Sequence, residues 1–256
     1  LKILAIGDII GKPGREAVVK LLPGLRKEFG VDLVITNGEN LAGGIGLTPV
    51  TAQELLVAGA DVITSGNHIW AHKEILPCMD GQMPILRPLN YPPGVPGRGF
   101  LTLGDTAVVN LIGRTFIGNF DCPFRAMDKL LSELGPEIKV IIVDFHAEAT
   151  SEKMGMGRYL DGRVSAVLGT HTHVATADAQ LFPGGTAYIT DIGMVGPQHS
   201  IIGDDIGEVL ERMLTQIPRR LPVATGRRII FNAVLIDIST ATGKATCIER
   251  LYREVD

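Results

Sequence analysis

Five places in the 256-residue chain gather side chains that bind metals or move protons: Asp8, Glu39-Asn40, Asn67-His68, His146 and His171-Thr172-His173. The chain has six histidines, and four of them fall in this set. Singly, each residue has an ordinary explanation. Asp8 could cap a helix, Asn67 could hold a turn, and His146 could be a satisfied core histidine. Two carboxylates, an amide oxygen and three imidazoles together form a mixed oxygen and nitrogen donor set. That set suits manganese, iron, zinc or cobalt, whereas calcium takes oxygen alone. It is too large for one tetrahedral zinc and sufficient for two ions sharing a carboxylate. Two ions about 3.5–4 Å apart can hold a hydroxide between them and clamp a phosphoryl group for in-line attack.

The apolar pattern explains why these residues should meet. Leu1–Ile6 reads as a strand ending at Gly7-Asp8, and Pro13 opens a helix through Val18, Leu22 and Leu25. Leu33–Ile35 reads as a second strand ending at Asn37-Gly38-Glu39-Asn40. Thr48-Pro49 caps a helix that Gly59 stops, and Asp61–Thr64 is a third strand before Gly66-Asn67-His68. Val140–Phe145 ends at His146, and Val164–Leu168 ends at Gly169-Thr170-His171-Thr172-His173. Strand, loop, helix and strand in repetition predict parallel βαβ units, whose ligands bind beyond the carboxyl ends of the strands.

Between them, the Pro- and Gly-rich residues 84–99 predict an ordered loop. Strands near 100–103 and 107–112, a helix from about Phe124 to Leu134, and a helix near 204–216 complete the middle. Antiparallel strands at 229–238 and 244–250 flank Thr242-Gly243. No linker interrupts the chain, so residues 1–256 read as a single domain.

Composition narrows the function classes. Apolar residues make up 45% and charged residues 20%, which predicts an ordered globular chain. A net charge of -4 argues against general nucleic-acid or anionic-lipid binding, so a protein handling phosphate needs a local positive centre. Two divalent ions against two carboxylates leave about +2 there. No apolar run is long enough to span a membrane. Cys78, Cys122 and Cys247 form no CxxC pair or disulfide framework. With LKILAIGD reading as a strand from the outset, a cytoplasmic location is expected.

These motifs resemble the calcineurin-like metallophosphoesterases. GDIIGKPGR, NGEN, GNHIWAHKEI, RPLNYPPGVPGRG, FHAEATSEK, GTHTHVATAD and GGTAYITDIGMVGP are similar to its YmdB-like branch of cyclic-nucleotide phosphodiesterases, across nearly the whole chain. The resemblance implies an α/β fold: a sandwich of two mixed β-sheets flanked by helices. It implies that Asp8, Glu39, Asn40 and His173 hold one metal. Glu39 would bridge to a second, completed by Asn67, His146 and His171. His68 would give a proton to the leaving group. The wider superfamily has Asp-x-His after its first strand where this chain has Asp8-Ile9-Ile10, and a bridging aspartate where it has Glu39. Losing an imidazole shifts the site toward harder metals, so iron or manganese is expected, as two divalent or mixed-valence ions, with zinc or cobalt as alternatives.

Other motifs carry less. Gly7–Pro13 is one residue short of a P-loop and has proline in place of the magnesium-binding hydroxyl. Gly43-Gly44-Ile45-Gly46 reads as a loop whose backbone could approach phosphate. The His171/His173 pair follows a late strand, unlike the amidohydrolase barrels. His72 and His199 read as surface histidines. Trp70 could wall a base pocket or pack in the core, and Arg125 and Arg158 could grip phosphate or face solvent. The expected function is metal-dependent hydrolysis of a phosphate ester, preferably a cyclic nucleotide. A broad phosphomonoesterase and a nucleotide-sensing regulatory protein are the alternatives. The expected partner is a small phosphate ester, with homo-oligomer formation left open.

Overall fold

The computed structural model describes residues 1–256. β1 (Lys2–Ile9), α1 (Gly11–Phe29), β2 (Leu33–Asn37), α2 (Pro49–Ala58) and β3 (Val62–Thr64) form the first run of alternating elements. A turn of 3-10 helix and the short α3 (Leu76–Met79) lead into the 84–99 loop. Then come β4 (Phe100–Leu103), β5 (Thr106–Ile112), α4 (Pro123–Glu133), β6 (Val140–His146), α5 (Thr150–Leu160) and β7 (Ala166–Thr170). The chain continues with β8 (Gln180–Leu181), β9 (Ala187–Ile189), β10 (Met194–Pro197), α6 (Ile206–Thr215), β11 (Ile229–Ile238) and β12 (Ala245–Val255).

The strands form two mixed sheets, ordered β12-β11-β10-β1-β2-β3 and β4-β5-β6-β7-β9-β8. The two-residue period of a strand sorts its side chains into separate layers. Ile3, Ala5 and Ile35 of the first sheet meet Val108, Ile142 and Leu168 of the second between the sheets. Their neighbours Leu4, Ile6 and Val34 point the other way and pack with Val18, Leu22 and Leu55 of α1 and α2. On the far side, Val109, Val143 and Phe145 pack with Met127 of α4 and with Met156 and Leu160 of α5. Three apolar layers between four structural layers give the α/β/β/α sandwich. Each fully buried aliphatic side chain contributes about 1.5–3 kcal/mol. No helix is long and apolar enough to cross a membrane.

The α2 boundaries follow the local code: the Thr48 side chain accepts from the Thr51 N–H, and Gly59 ends the helix at φ 111°. β1 departs from its expected end at Ile6. It pairs antiparallel with β11 along Lys2–Ile6, then parallel with β10 at Asp8 and Ile9. A change of partner on one edge, with a register shift toward β2 between Ile6 and Asp8, carries Asp8 into the sheet. β7 lies two residues later than expected because Phe145 and His146 of β6 pair with Gly169 and Thr170.

Candidate metal centre

All five groups of candidate residues converge at the carboxyl ends of β1, β2 and β3 in one sheet and of β6 and β7 in the other. Donor atoms of Glu39, His146 and His171 lie within 4.8 Å of one another, and so do those of Asp8, Glu39 and His173. Glu39 belongs to both groups. Glycine makes the crowding feasible, since a Cβ on Gly66 would lie 2.2 Å from Glu39 Oε2 and 2.3 Å from His146 Nε2.

The donors are aimed by their other contacts. His146 Nδ1 lies 3.0 Å from Thr170 Oγ1, whose hydroxyl donates to Asp144 Oδ1 at 2.7 Å. That leaves His146 Nε2 facing Glu39 Oε2 at 3.1 Å, Asn67 Oδ1 at 3.2 Å and His171 Nδ1 at 3.0 Å. His171 Nε2 lies 3.1 Å from Glu148 Oε2, and His173 Nδ1 lies 2.6 Å from the Ile202 carbonyl oxygen. One ring nitrogen held by an oxygen and the other directed inward is the usual arrangement of a metal-binding histidine. The backbone N–H of His171 donates to Asp8 Oδ2 at 3.1 Å, while Asp8 Oδ1 is buried with no hydrogen-bond partner.

Asn40 sits between the two histidine-bearing loops. Its Nδ2 lies 3.1 Å from His173 Nε2 and 3.3 Å from Glu39 Oε1, and its Oδ1 lies 3.1 Å from His68 Nδ1. His68 Nδ1 is 3.4 Å from Glu39 Oε1, and the ring borders the open side of the cleft.

Electrostatics show a site short of cations. Burial pushes Asp8 up to about 6 despite nearby His173 and His146. Burial also opposes the charge on Glu39, but the His146 charge and hydrogen bonds from His146 and His68 hold it well below the ordinary carboxylate range. Burial opposes protonation of His146, yet Glu39, Asp8 and Asp144 raise it to about 9. Burial and the His146 charge push His171 down to about 3. Two carboxylates, one with an orphaned buried oxygen, and three inward-facing imidazoles fit a pair of transition-metal ions.

Several residues of the site were not singled out in the sequence. Asp144 lies within the apolar run of β6 and accepts from Thr64, Thr170 and Asn37 across both sheets. Glu148, Ile202 and Asp204 border the cleft. Motif position was the one available signal, as Glu148 belongs to FHAEATSEK and Asp144 lies just before it. Trp70 packs at the edge of the helix-side core, 5.8 Å from the Tyr91 ring, and does not border the cleft. Arg158 stacks on Phe182, 3.8 Å from the ring centroid, and Arg125 borders a separate pocket beside α4. His199 is exposed, and His72 Nε2 lies 2.9 Å from the Ile45 carbonyl oxygen.

A two-sheet sandwich with a carboxylate shared between two donor groups at the facing strand ends is the architecture of the metallophosphoesterases. The model of the YmdB-like protein family matches residues 4–251. A 2',3'-cyclic-nucleotide 2'-phosphodiesterase of Bacillus subtilis is 46% identical, over 98% of this chain and 96% of that one. The crystal structure of a Thermus thermophilus protein superposes with a TM-score of 0.94 at 45% identity, covering 100% of both chains. A novel phosphatase from Mycoplasma pneumoniae gives 0.93 at 32% identity, covering 100% of this chain and 94% of that one. The chain belongs to the YmdB-like branch of the calcineurin-like metallophosphoesterase superfamily. It is a metal-dependent hydrolase of phosphate esters.

Proposed function

We propose that the protein hydrolyses cyclic nucleotides, at a centre where Glu39 bridges two iron or manganese ions. The observation that carries this reading is the membership of Glu39 in both donor groups. Asp8, Asn40 and His173 complete one side, and Asn67, His146 and His171 the other. Asn40 would first turn its amide end for end, which exchanges nearly identical shapes. When bound, the two ions polarise phosphoryl oxygens and lower the pKa of water.

The chain's own residues do the rest. His68 turns Nδ1 toward Asn40 and Glu39, while its Nε2 has no hydrogen-bond partner within the protein and remains to protonate a departing ribose oxygen. The cleft, about 380 Å³, is bordered by Glu148 and Asp204 and by no lysine or arginine. A dianionic monoester meets more repulsion there than a monoanionic diester, which supports the diester reading over a broad phosphomonoesterase. The identity to the Bacillus subtilis enzyme supports cyclic nucleotides in particular.

The test is elemental analysis of purified protein combined with turnover of cyclic nucleotides, linear diesters and monoesters. Two ions per chain and preferred cyclic-nucleotide turnover are expected. Binding without turnover would instead establish a nucleotide sensor, and preference for monoesters would overturn the diester assignment.

A further inference from the structure

The turn that carries two candidate ligands is strained. His171 has φ 102° and His173 φ 65°, in the left-handed region that side chains disfavour. Such backbone persists only where its surroundings over-determine it. Thr172, between the two histidines, is gripped by one buried carboxylate. Asp191 Oδ2 accepts from the Thr172 N–H at 3.0 Å, from its hydroxyl at 2.7 Å and from the Lys153 ammonium at 2.6 Å. Asp191 Oδ1 accepts from the Gly193 N–H at 2.8 Å, and the Gly193 carbonyl accepts from the Asp8 N–H at 3.0 Å.

Through these bonds a single carboxylate reaches the backbone of His171, His173 and Asp8, residues drawn from both donor groups. The side chains of Lys153 and Asp191 are 1% and 0% exposed. Burying two charges costs desolvation that their attraction only partly offsets, so the pair is a poor device for stability alone. As a rigid anchor for a strained turn it does something an apolar pair cannot. The two oxygens of Asp191 accept four donors at once, one of them the Lys153 ammonium, which no apolar side chain could do.

We propose that Asp191, paired with Lys153, is a positioning residue of the metal centre, setting the turn that aims His171 and His173 without touching metal or substrate. The inference rests on the two-metal reading given above.

Thr172→Val removes one hydrogen bond and keeps the backbone N–H, and Thr172→Ser restores the hydroxyl. These variants, with Asp191→Asn and Lys153→Met, are titrated with manganese after chelator treatment, and unfolding of the stripped proteins is followed in parallel. Thr172→Val and Asp191→Asn are expected to lose ~10–100-fold in affinity for both ions. Thr172→Ser should bind like the wild type, and stripped Thr172→Val should unfold at the wild-type temperature. If Thr172→Val binds two ions as tightly as the wild type, Asp191 is structural and the inference is overturned. A wild type that takes up fewer than two ions would overturn the two-metal reading, and this inference with it.

Discussion

His146 Nε2 and His171 Nδ1 face each other across 3.0 Å, with their rings inclined at 71°. Two lone pairs cannot point at one another unless a proton or a cation lies between or beside them. In the metal-free protein the proton belongs to His146, raised to about 9, while His171 is pushed down to about 3.

Metal uptake at pH 7 must therefore displace a proton from His146. We expect proton release on titration with manganese, read as a difference in heat between buffers of unlike ionisation enthalpy. Affinity should rise with pH up to about 9. The stripped protein should behave oppositely. The folded-state pKa of His146 lies above its ordinary value, so its contribution to stability is full below pH ~6.5 and is lost as pH rises through about 9. A melting temperature of stripped protein that is flat between those limits would contradict this assignment.

Glu39 contributes to both donor groups, and His173 to one. Glu39→Ala is expected to lower the occupancy of both metals, and His173→Ala chiefly of one. Elemental analysis of each variant decides, and full loading of Glu39→Ala would refute the bridging role.

His68→Ala is expected to keep its metals and to lose ~10²–10⁴-fold in rate on ribose esters, the usual worth of a general acid. A nitrophenyl ester departs without help, so its rate should fall far less. Equal slowing of both substrates would make His68 a phosphate-positioning group, and lost metal would make it a ligand or a support for one.

Asp204 is half-buried at the cleft, and its carboxyl is raised by burial despite nearby His173, Arg212 and His68. Asp204→Asn should improve kcat/KM for a dianionic monoester about two- to fivefold relative to a diester, the scale of one partly screened charge. An unchanged ratio would remove charge exclusion as the source of diester preference.

What the sequence determined by itself is local. Apolar runs broken by Gly-Asp, Gly-Glu-Asn, Gly-Asn-His, the lone His146 and the His171/His173 pair placed the ends of β1, β2, β3, β6 and β7 to within about three residues. Polar residues there are conspicuous against the runs that precede them. Thr48, Pro49 and Gly59 bounded α2 because caps act within a turn of chain. The β11–β12 hairpin was legible for the same reason.

Other elements were not. α5 contains Gly155 and Gly157, and the second is small because a Cβ there would lie 2.5 Å from the Tyr188 ring, a contact made across the fold. β9 and β10 are three and four residues long and buried throughout, too short to show a period. Asp144 and Lys153 look like interruptions until Thr170 and Asp191, distant in sequence, come within hydrogen-bonding reach. Only the tertiary structure decides that one carboxylate serves two donor groups. Membership of Glu39 in both groups is a matter of donor atoms within 4.8 Å of one another on residues up to 165 positions apart, from Asp8 to His173, and spacing along the chain does not encode it.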